Sequence, residues 1–398
     1  MNKVLTIICV IYFLFVPWRL MAAELSPSAT VSLLIASPDT RQLVTVYGHT
    51  LLRINDPEMG IDYVFNYGTF DQSLSGFQTM WGILRAKLQY EIWVMPFSEY
   101  YQTTLAENRK LTEYSFNFSN EEKQRIWLSL IEIVKDKNRK FTFDFFSRNC
   151  TTFVRDLITQ SAGSEIKLPD DMDAADYREI NIRHIYQNSW YMLAYDFLAG
   201  MNLDKKAGAY ESLYTPDQLQ NIWSKSLLVN ASDSVKPLFS NTSVLIKGGN
   251  LSGRKNHFLS SPFFVSLLFL LAVIVFTVIG WKSGKYNKSV DYVIFSFVGV
   301  VGIFLFILKF ASGAWCFLPD LKMCWIHPLH LVVPFLMFRG NVRFLKIYHL
   351  INMVVTAGVL IIIPFLAQQI NPVFIVVLIL LLFRSALFVF TKKPGNNN

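Results

Sequence analysis

The stretch Ser147–Leu157, SRNCTTFVRDL, contains residue types that could perform nucleophilic chemistry. Aromatic and polar residues alternate in the preceding FTFDF, which predicts a strand, and the apolar spacing after Cys150 predicts a helix. Cys150 would therefore occupy the first helical turn, with Asn149 as the N-cap. Unpaired backbone N–H groups and the positive dipole end of a helix favour an anion, which lowers the pKa of a thiol and creates a nucleophile. The alternative is a small cysteine buried in the core.

Two strands upstream, TVYGHTLLRI and IDYVFNY, are joined by the turn-rich NDPEMG. If the connection is symmetric, Arg53 lies opposite Asp62, and a slip of one residue would break this favourable pair. The same register predicts that His49 lies opposite Asn66, with both side chains on one face of the sheet.

A thiolate that transfers acyl groups needs a base, a group that orients the base, and donors for the oxyanion. His49 is the candidate base, Asn66 the candidate orienting group, with Asp62 as the alternative, and the backbone N–H of Cys150 the candidate oxyanion donor. Of the six histidines, only His49 and His184 fall in the mixed, charged part of the chain. A purely structural role for a strand histidine is the alternative.

The remaining pattern before the apolar half mixes helices and strands. Ser119 followed by Glu122 predicts a capping box that opens a helix running to about Lys137. The other predicted elements are helices over Ser73–Leu88, Ser98–Leu111 and Thr152–Gly163, strands over Tyr90–Met95 and Glu113–Phe118, and an aromatic-rich segment over Tyr177–Gly200.

The composition indicates a membrane protein with a soluble part. The chain has 398 residues, of which 52% are hydrophobic, and a net charge of +8. Much of the basic charge flanks apolar runs instead of clustering on one polar face, which argues against nucleic-acid binding.

The N-terminal residues 1–23 are typical of a secretory signal peptide, with Lys3, an apolar run and then Ala22 and Ala23. An uncleaved anchor is the alternative, and either one predicts export of the following domain. Four cysteines are too few for a disulfide scaffold.

Apolar runs from Pro262 onward predict five membrane spans: Pro262–Gly280, Val290–Phe310, Trp325–Phe338, Tyr348–Leu366 and Pro372–Phe390. Lysines and arginines follow the first, third and fifth runs, so the positive-inside rule places the exported domain outside and the C-terminus in the cytoplasm.

Two pairs of residues at the outer side of these spans could form a disulfide or a metal site. Cys316 and Cys324 fall in the same outside loop, where an oxidising compartment permits a disulfide between them, and the sequence leaves both the bonded and the unbonded state open. His327 and His330, in WIHPLH, lack a nearby cluster of carboxylates or thiolates, so no metal site and no cofactor are predicted.

The motifs together resemble known families. NCTTFV after a strand, with the histidine in an earlier strand, is similar to the circularly permuted papain-like fold of the NlpC-type superfamily, which includes lecithin:retinol acyltransferase. The order YGHTLLRI, NYGTFD, SRNCTTFVRDL and then several spans including WIHPLH resembles the Lnb-type lipoprotein N-acyltransferase family.

This resemblance implies an α+β, circularly permuted papain-like (NlpC/LRAT-like) extracytoplasmic domain followed by a five-helix transmembrane domain. It also implies Cys150 as nucleophile and His49 as its partner, while Asn66 depends on the hairpin register. The predicted organisation is a signal peptide (1–23), a periplasmic acyltransferase-like domain (24–229), a tether (230–260) and a transmembrane domain (261–398).

The implied protein is a multi-pass protein of the bacterial inner membrane, with its catalytic domain on the periplasmic side. Its expected reaction moves an acyl chain from a phospholipid, through a thioester on the cysteine, to the N-terminal cysteine of a lipoprotein. A membrane-tethered cysteine amidase or peptidase acting on cell-wall peptides is the alternative enzyme, since one fold supports several chemistries. A non-catalytic envelope scaffold is the third possibility.

Overall fold

A computed structural model describes residues 24–39, 45–70, 73–85, 87–135, 139–172, 175–183, 185, 189–230, 232–249, 257–283, 287–312 and 314–390. The predicted signal peptide, with Cys9, and His184 lie outside these residues. The chain divides into two compact units, one of residues 1–175 with 207–253 and one of residues 176–206 with 254–398.

The first unit is built on a seven-stranded antiparallel sheet with strand order β10-β5-β1-β2-β3-β4-β6. A second sheet has the order β7-β8-β9. The strands are β1 (Thr30–Ala36), β2 (His49–Asp56), β3 (Ile61–Phe70), β4 (Gln89–Pro96), β5 (Leu111–Phe116), β6 (Lys140–Thr142), β7 (Glu165–Lys167), β8 (Leu227–Val229), β9 (Val235–Pro237) and β10 (Phe239–Ile246).

Helices pack on both faces of the large sheet and create its two apolar cores. The helices of this unit are α1 (Gly76–Leu84), α2 (Phe97–Ala106), α3 (Asn120–Ile133), α4 (Cys150–Ser161) and, after the segment that belongs to the second unit, α7 (Pro216–Trp223). Apolar residues of α3 and α4, including Trp127 and Val154, pack with Leu52 and Phe65 of the sheet on one face. Tyr100 of α2 packs with Leu51 and other residues on the opposite face.

Several predicted elements are confirmed. Ser119 and Glu122 form the capping box, which opens α3, although that helix ends at Ile133. The strand predicted over Tyr90–Met95 is β4, and the cysteine helix begins at Cys150 as predicted.

The predicted hairpin register is wrong by two residues. Leu51 pairs with Asn66 and Asn55 pairs with Asp62 in the structure. A shift of two keeps every side chain on its predicted face, because side chains alternate with a period of two. Arg53 therefore still reaches Asp62, with Nε 2.7 Å from the carboxylate.

The first strand of this hairpin begins at His49 and not at Thr45, because the backbone turns at Gly48. Gly48 has a φ of +84°, and a Cβ there would lie 2.8 Å from the carbonyl oxygen of Ala36. Only glycine accepts both conditions without strain.

Part of the predicted tether is folded. Val235–Pro237 and Phe239–Ile246 are β9 and β10, and β10 forms one edge of the large sheet beside β5. The side chains of β10 are largely exposed, so this edge strand tolerates polar serine, threonine and asparagine, which explains why composition alone indicated a linker.

Among the described residues, the second unit contains five helical segments that are long and apolar enough to cross a membrane, which confirms the predicted number. They are α8 (Pro262–Lys282), α9 (Lys288–Ser312), the segment Leu321–Phe338, a segment beginning with α11 (Val342–Ile362), and α12 (Pro372–Phe390).

The third span is interrupted. It consists of two 3₁₀ turns, Leu321–Cys324 and Pro328–Leu331, followed by α10 (Val332–Phe338). Irregular backbone at membrane depth needs partners within the protein, and the ring of His330 supplies one, with Nε2 2.9 Å from the carbonyl oxygen of Trp325. Gly302 of α9 allows the close approach, because a Cβ there would lie 2.4 Å from the backbone of His327.

Residues 176–206 belong to this second unit, although their composition groups them with the soluble domain. They form α5 (Tyr177–Ile182), α6 (Trp190–Leu198) and a 3₁₀ turn. Buried Arg178 binds Asp196 and Asp204, each at 2.6 Å, and Asn202 donates to the carbonyl oxygens of Trp315 and Leu318.

The structure shows no disulfide between Cys316 and Cys324 of the outside loop. Cys316 is a buried thiol and Cys324 an exposed one, both within the described residues. Proximity in sequence does not ensure the specific Cβ geometry that a disulfide needs.

Candidate active site

The backbone of α4 holds Cys150 at its first position through an N-cap that uses the whole Asn149 side chain. The amide oxygen of Asn149 accepts from the backbone N–H groups of Thr151 and Thr152, at 2.8 and 2.9 Å. Its amide nitrogen donates to the carbonyl oxygens of Phe145 and Tyr214. Asn149 is buried, so this position requires a side chain that both donates and accepts, and the backbone N–H of Cys150 is not used by the cap.

The structure places the side chains of His49, Asn66 and Cys150 close together. His49 Nε2 lies 2.8 Å from Asn66 Oδ1. Because an amide oxygen only accepts, Nε2 carries the proton in this bond, and the other ring nitrogen, Nδ1, is left as the basic one. The imidazole also interacts with the side chain of Cys150, which is partly exposed.

Burial opposes the charged forms of both groups, yet their mutual interaction outweighs it. Burial lowers the pKa of His49, but the charge and hydrogen bond of Cys150 and the bond to Asn66 leave that pKa above its ordinary value. Burial raises the pKa of Cys150, but the imidazolium of His49 and hydrogen bonds from the Thr50 backbone and the Thr151 hydroxyl leave it below its ordinary value. Both shifts favour a thiolate–imidazolium pair.

Two threonines connect the cysteine helix to the histidine strand. Thr50 follows His49, Thr151 follows Cys150, and their buried hydroxyl oxygens lie 3.1 Å apart. The contact therefore couples the positions of the thiol and the imidazole. Sequence reasoning missed it, because neither threonine belongs to a motif with chemistry of its own.

Asp62, the alternative orienting group for His49, binds Arg53 instead. Its carboxylate binds Arg53 through two nitrogens, at 2.7 and 2.9 Å, and Arg53 also reaches Glu113 at 3.1 Å. The residue that contacts His49 is Asn66.

Gly68 gives the imidazole its space. A Cβ at Gly68 would lie 3.0 Å from Cε1 of His49 and 3.9 Å from both Asn66 Oδ1 and the Cβ of Cys150. Continuation of the observed register places Gly68 across from His49. The sequence NYGTFD could therefore have predicted a glycine beside the imidazole, but the predicted register placed Asn66 there.

We expect Gly68→Ala to displace the His49 ring by a few tenths of an ångström and to slow alkylation of Cys150 by roughly tenfold, since small misplacements of reacting groups are costly. The measurement is the rate at which iodoacetamide modifies the Cys150 peptide, followed by mass spectrometry. Gly76→Ala is the matched control, because a Cβ there meets no atom within 4 Å. Equal rates for both variants and the wild type would contradict the prediction.

Among the described residues, no group of three or more histidine, cysteine, aspartate or glutamate side chains could hold a metal ion. Both ring nitrogens of His330 have partners, Trp325 O at 2.9 Å and the Tyr348 hydroxyl at 2.8 Å. His330 therefore has no free nitrogen to offer a metal alongside His327.

Family models match both parts of the chain. Residues 19–183 match the family model described as the Lnb N-terminal periplasmic domain, and residues 254–394 match the Lnb transmembrane domain. The chain belongs to the Lnb family. No curated protein and no solved structure matches it.

Membership of the Lnb family identifies the first matched region, which contains His49, Asn66 and Cys150, as periplasmic. The predicted architecture is thereby confirmed as a periplasmic domain of mixed helix and sheet with a five-helix transmembrane domain. The papain-like relationship stays a prediction.

Proposed function

We propose that this protein is a thiol acyltransferase of the bacterial inner membrane, which moves an acyl chain from a phospholipid to an amine through a thioester on Cys150. The observation that carries the proposal is the interaction between the thiol of Cys150, the first residue of α4, and an imidazole that Asn66 orients. Membership of the Lnb family and five membrane helices support substrates confined to the bilayer surface.

In the first step the Cys150 thiolate attacks the ester carbonyl carbon of a phospholipid. The backbone N–H of Cys150, which the N-cap leaves available, is the oxyanion donor that we assign. Collapse of the tetrahedral intermediate breaks the ester C–O bond, and the His49 imidazolium gives its Nδ1 proton to the leaving alkoxide. The products are an acyl-Cys150 thioester and a lysophospholipid.

In the second step an amine attacks the thioester carbonyl, and the neutral His49 imidazole takes the proton that the amine loses. The C–S bond breaks and returns the thiolate beside the imidazolium. The proposed acceptor is the N-terminal diacylglyceryl-cysteine of a lipoprotein. Asn66 keeps the ring in the tautomer that both steps require.

The test is to incubate the purified full-length protein with a phospholipid that carries an isotope-labelled acyl chain and to analyse the Cys150 peptide by mass spectrometry. We expect the mass of the labelled acyl group on Cys150, release of that group by hydroxylamine, and its transfer when an acceptor lipopeptide is added. A peptide that never carries the label, together with cleavage of purified peptidoglycan, would instead identify a cell-wall amidase or peptidase.

A further inference from the structure

Helix α1 of the periplasmic unit has an aromatic pair, exposed Phe77 and half-buried Trp81. The helix lies in the connection between β3, which contains Asn66, and β4. Its inner side packs on the core through Ile83 and a close approach of Gly82 to Leu88. Phe77 is 76% exposed and stacks on Trp81, with ring centroids 6.3 Å apart.

The charged residues in the segment that contains this pair have one sign. Residues 73–90 contain Arg85 and Lys87 and no aspartate or glutamate. The Arg85 guanidinium lies 5.9 Å from the Trp81 ring, and Lys87 is exposed. A helix with phenylalanine and tryptophan on one face and basic residues beside them is typical of segments that lie in the interface of a bilayer. Tryptophan in particular is enriched at the level of lipid headgroups.

The anchoring of the chain in a membrane indicates which partner contacts α1. Five helices hold this protein in a membrane, so a phospholipid surface is always close to the periplasmic unit. Anionic headgroups complement Arg85 and Lys87, and acyl chains complement the exposed ring of Phe77 and the accessible part of Trp81. A binding site for a folded protein would instead be expected to have a more mixed, polar rim.

We propose that α1 is an interfacial helix that inserts Phe77 and Trp81 into the phospholipid leaflet facing the periplasm, with Arg85 and Lys87 at the level of the phosphates. This inference does not depend on the chemistry of Cys150. If both proposals hold, the contact positions the thiol unit at the surface where ester carbonyls are found.

The test places the photoreactive residue p-benzoylphenylalanine at position 77 of the full-length protein in nanodiscs of phosphatidylethanolamine and phosphatidylglycerol. Illumination should produce a phospholipid adduct on the α1 peptide. Leu128 of α3 is the matched control, because it is an apolar residue of the same unit that is 56% exposed, and it should give no lipid adduct above background. The Cys150→Ala background should give the same adduct at position 77, which separates this proposal from the proposed function.

An adduct to a protein at position 77, no adduct, or equal lipid adducts at positions 77 and 128 would each overturn the proposal. If the position 77 variant does not accumulate, the same residue at Trp81 replaces it. Hydrogen exchange of the unmodified protein adds an independent readout. The Gly76–Leu84 peptide should exchange more slowly in nanodiscs than in a lipid-free amphipathic polymer, and equal exchange would count against insertion.

Discussion

Replacement of Cys150 by alanine is expected to lower the rate of acyl transfer by at least about 10³-fold, because the thioester cannot form without the thiol. The measurement is the initial rate of transfer from a labelled phospholipid to a diacylglyceryl-cysteine peptide, with the full-length protein in nanodiscs. Cys150→Ser should be almost as inactive, since a serine hydroxyl at this position lacks the lowered pKa that makes the thiol a nucleophile.

Cys324→Ala is the control for this substitution. Cys324 is an exposed thiol of the transmembrane unit, so its removal should leave the rate close to that of the wild type. The assignment of Cys150 as nucleophile is wrong if Cys150→Ala transfers acyl groups at the wild-type rate. A scaffold role would show the same result, together with full complementation of a deletion strain.

His49→Ala is expected to lower the same rate by about 10² to 10⁴-fold, which is the range for loss of a general acid–base group. The substitution also removes the positive charge beside the thiolate, so the pKa of Cys150 should rise. The measurement is the pH dependence of Cys150 alkylation by iodoacetamide. The curve of the variant should shift to higher pH, and the rate at neutral pH should fall.

The pH dependence of acyl transfer by the wild type follows from the lowered pKa of Cys150 and the raised pKa of His49. The rate of acyl transfer should rise as pH increases through the pKa of Cys150, which lies below its ordinary value of 9.0. It should fall as pH increases through the pKa of His49, which lies above its ordinary value of 6.5, because the imidazolium is then lost as the acid. With ordinary values the imidazole would lose its proton before the thiol, and the ion pair would never predominate.

His257→Ala is the matched control, because His257 is an exposed histidine of the second unit. It should change neither the rate nor the alkylation curve. An unchanged alkylation curve in His49→Ala would mean that the imidazole does not set the pKa of the thiol, and the proposed pair would have to be abandoned.

Local patterns predicted those features that depend on neighbouring residues in the chain. The N-cap at Asn149, the capping box at Ser119 and the five apolar spans all follow from interactions over a few positions or from the length of one helix. The face shared by His49 and Asn66 was predicted for the same reason, since strand periodicity survives an error of two residues in register.

Features that depend on contacts between remote segments were missed or misplaced. The hydrogen bond between Thr50 and Thr151 joins residues that are 101 positions apart, and β10 reaches the sheet edge from a stretch whose composition indicates a tether. The turn at Gly48 depends on the carbonyl oxygen of Ala36 in a neighbouring strand. A pattern of neighbouring residues cannot predict which remote segment supplies such a contact.

The sequence by itself determined that a cysteine opens a helix, that a histidine and an asparagine share one face of a hairpin, and that five helices anchor the chain. Only the tertiary structure decided that the cysteine and the histidine meet, that Asn66 and not Asp62 holds the ring, and that Gly68 leaves room for it. The physical reason is that a residue's helix or strand preference depends on near neighbours, whereas the pKa of the Cys150 thiol depends on the charges that the whole fold places beside it.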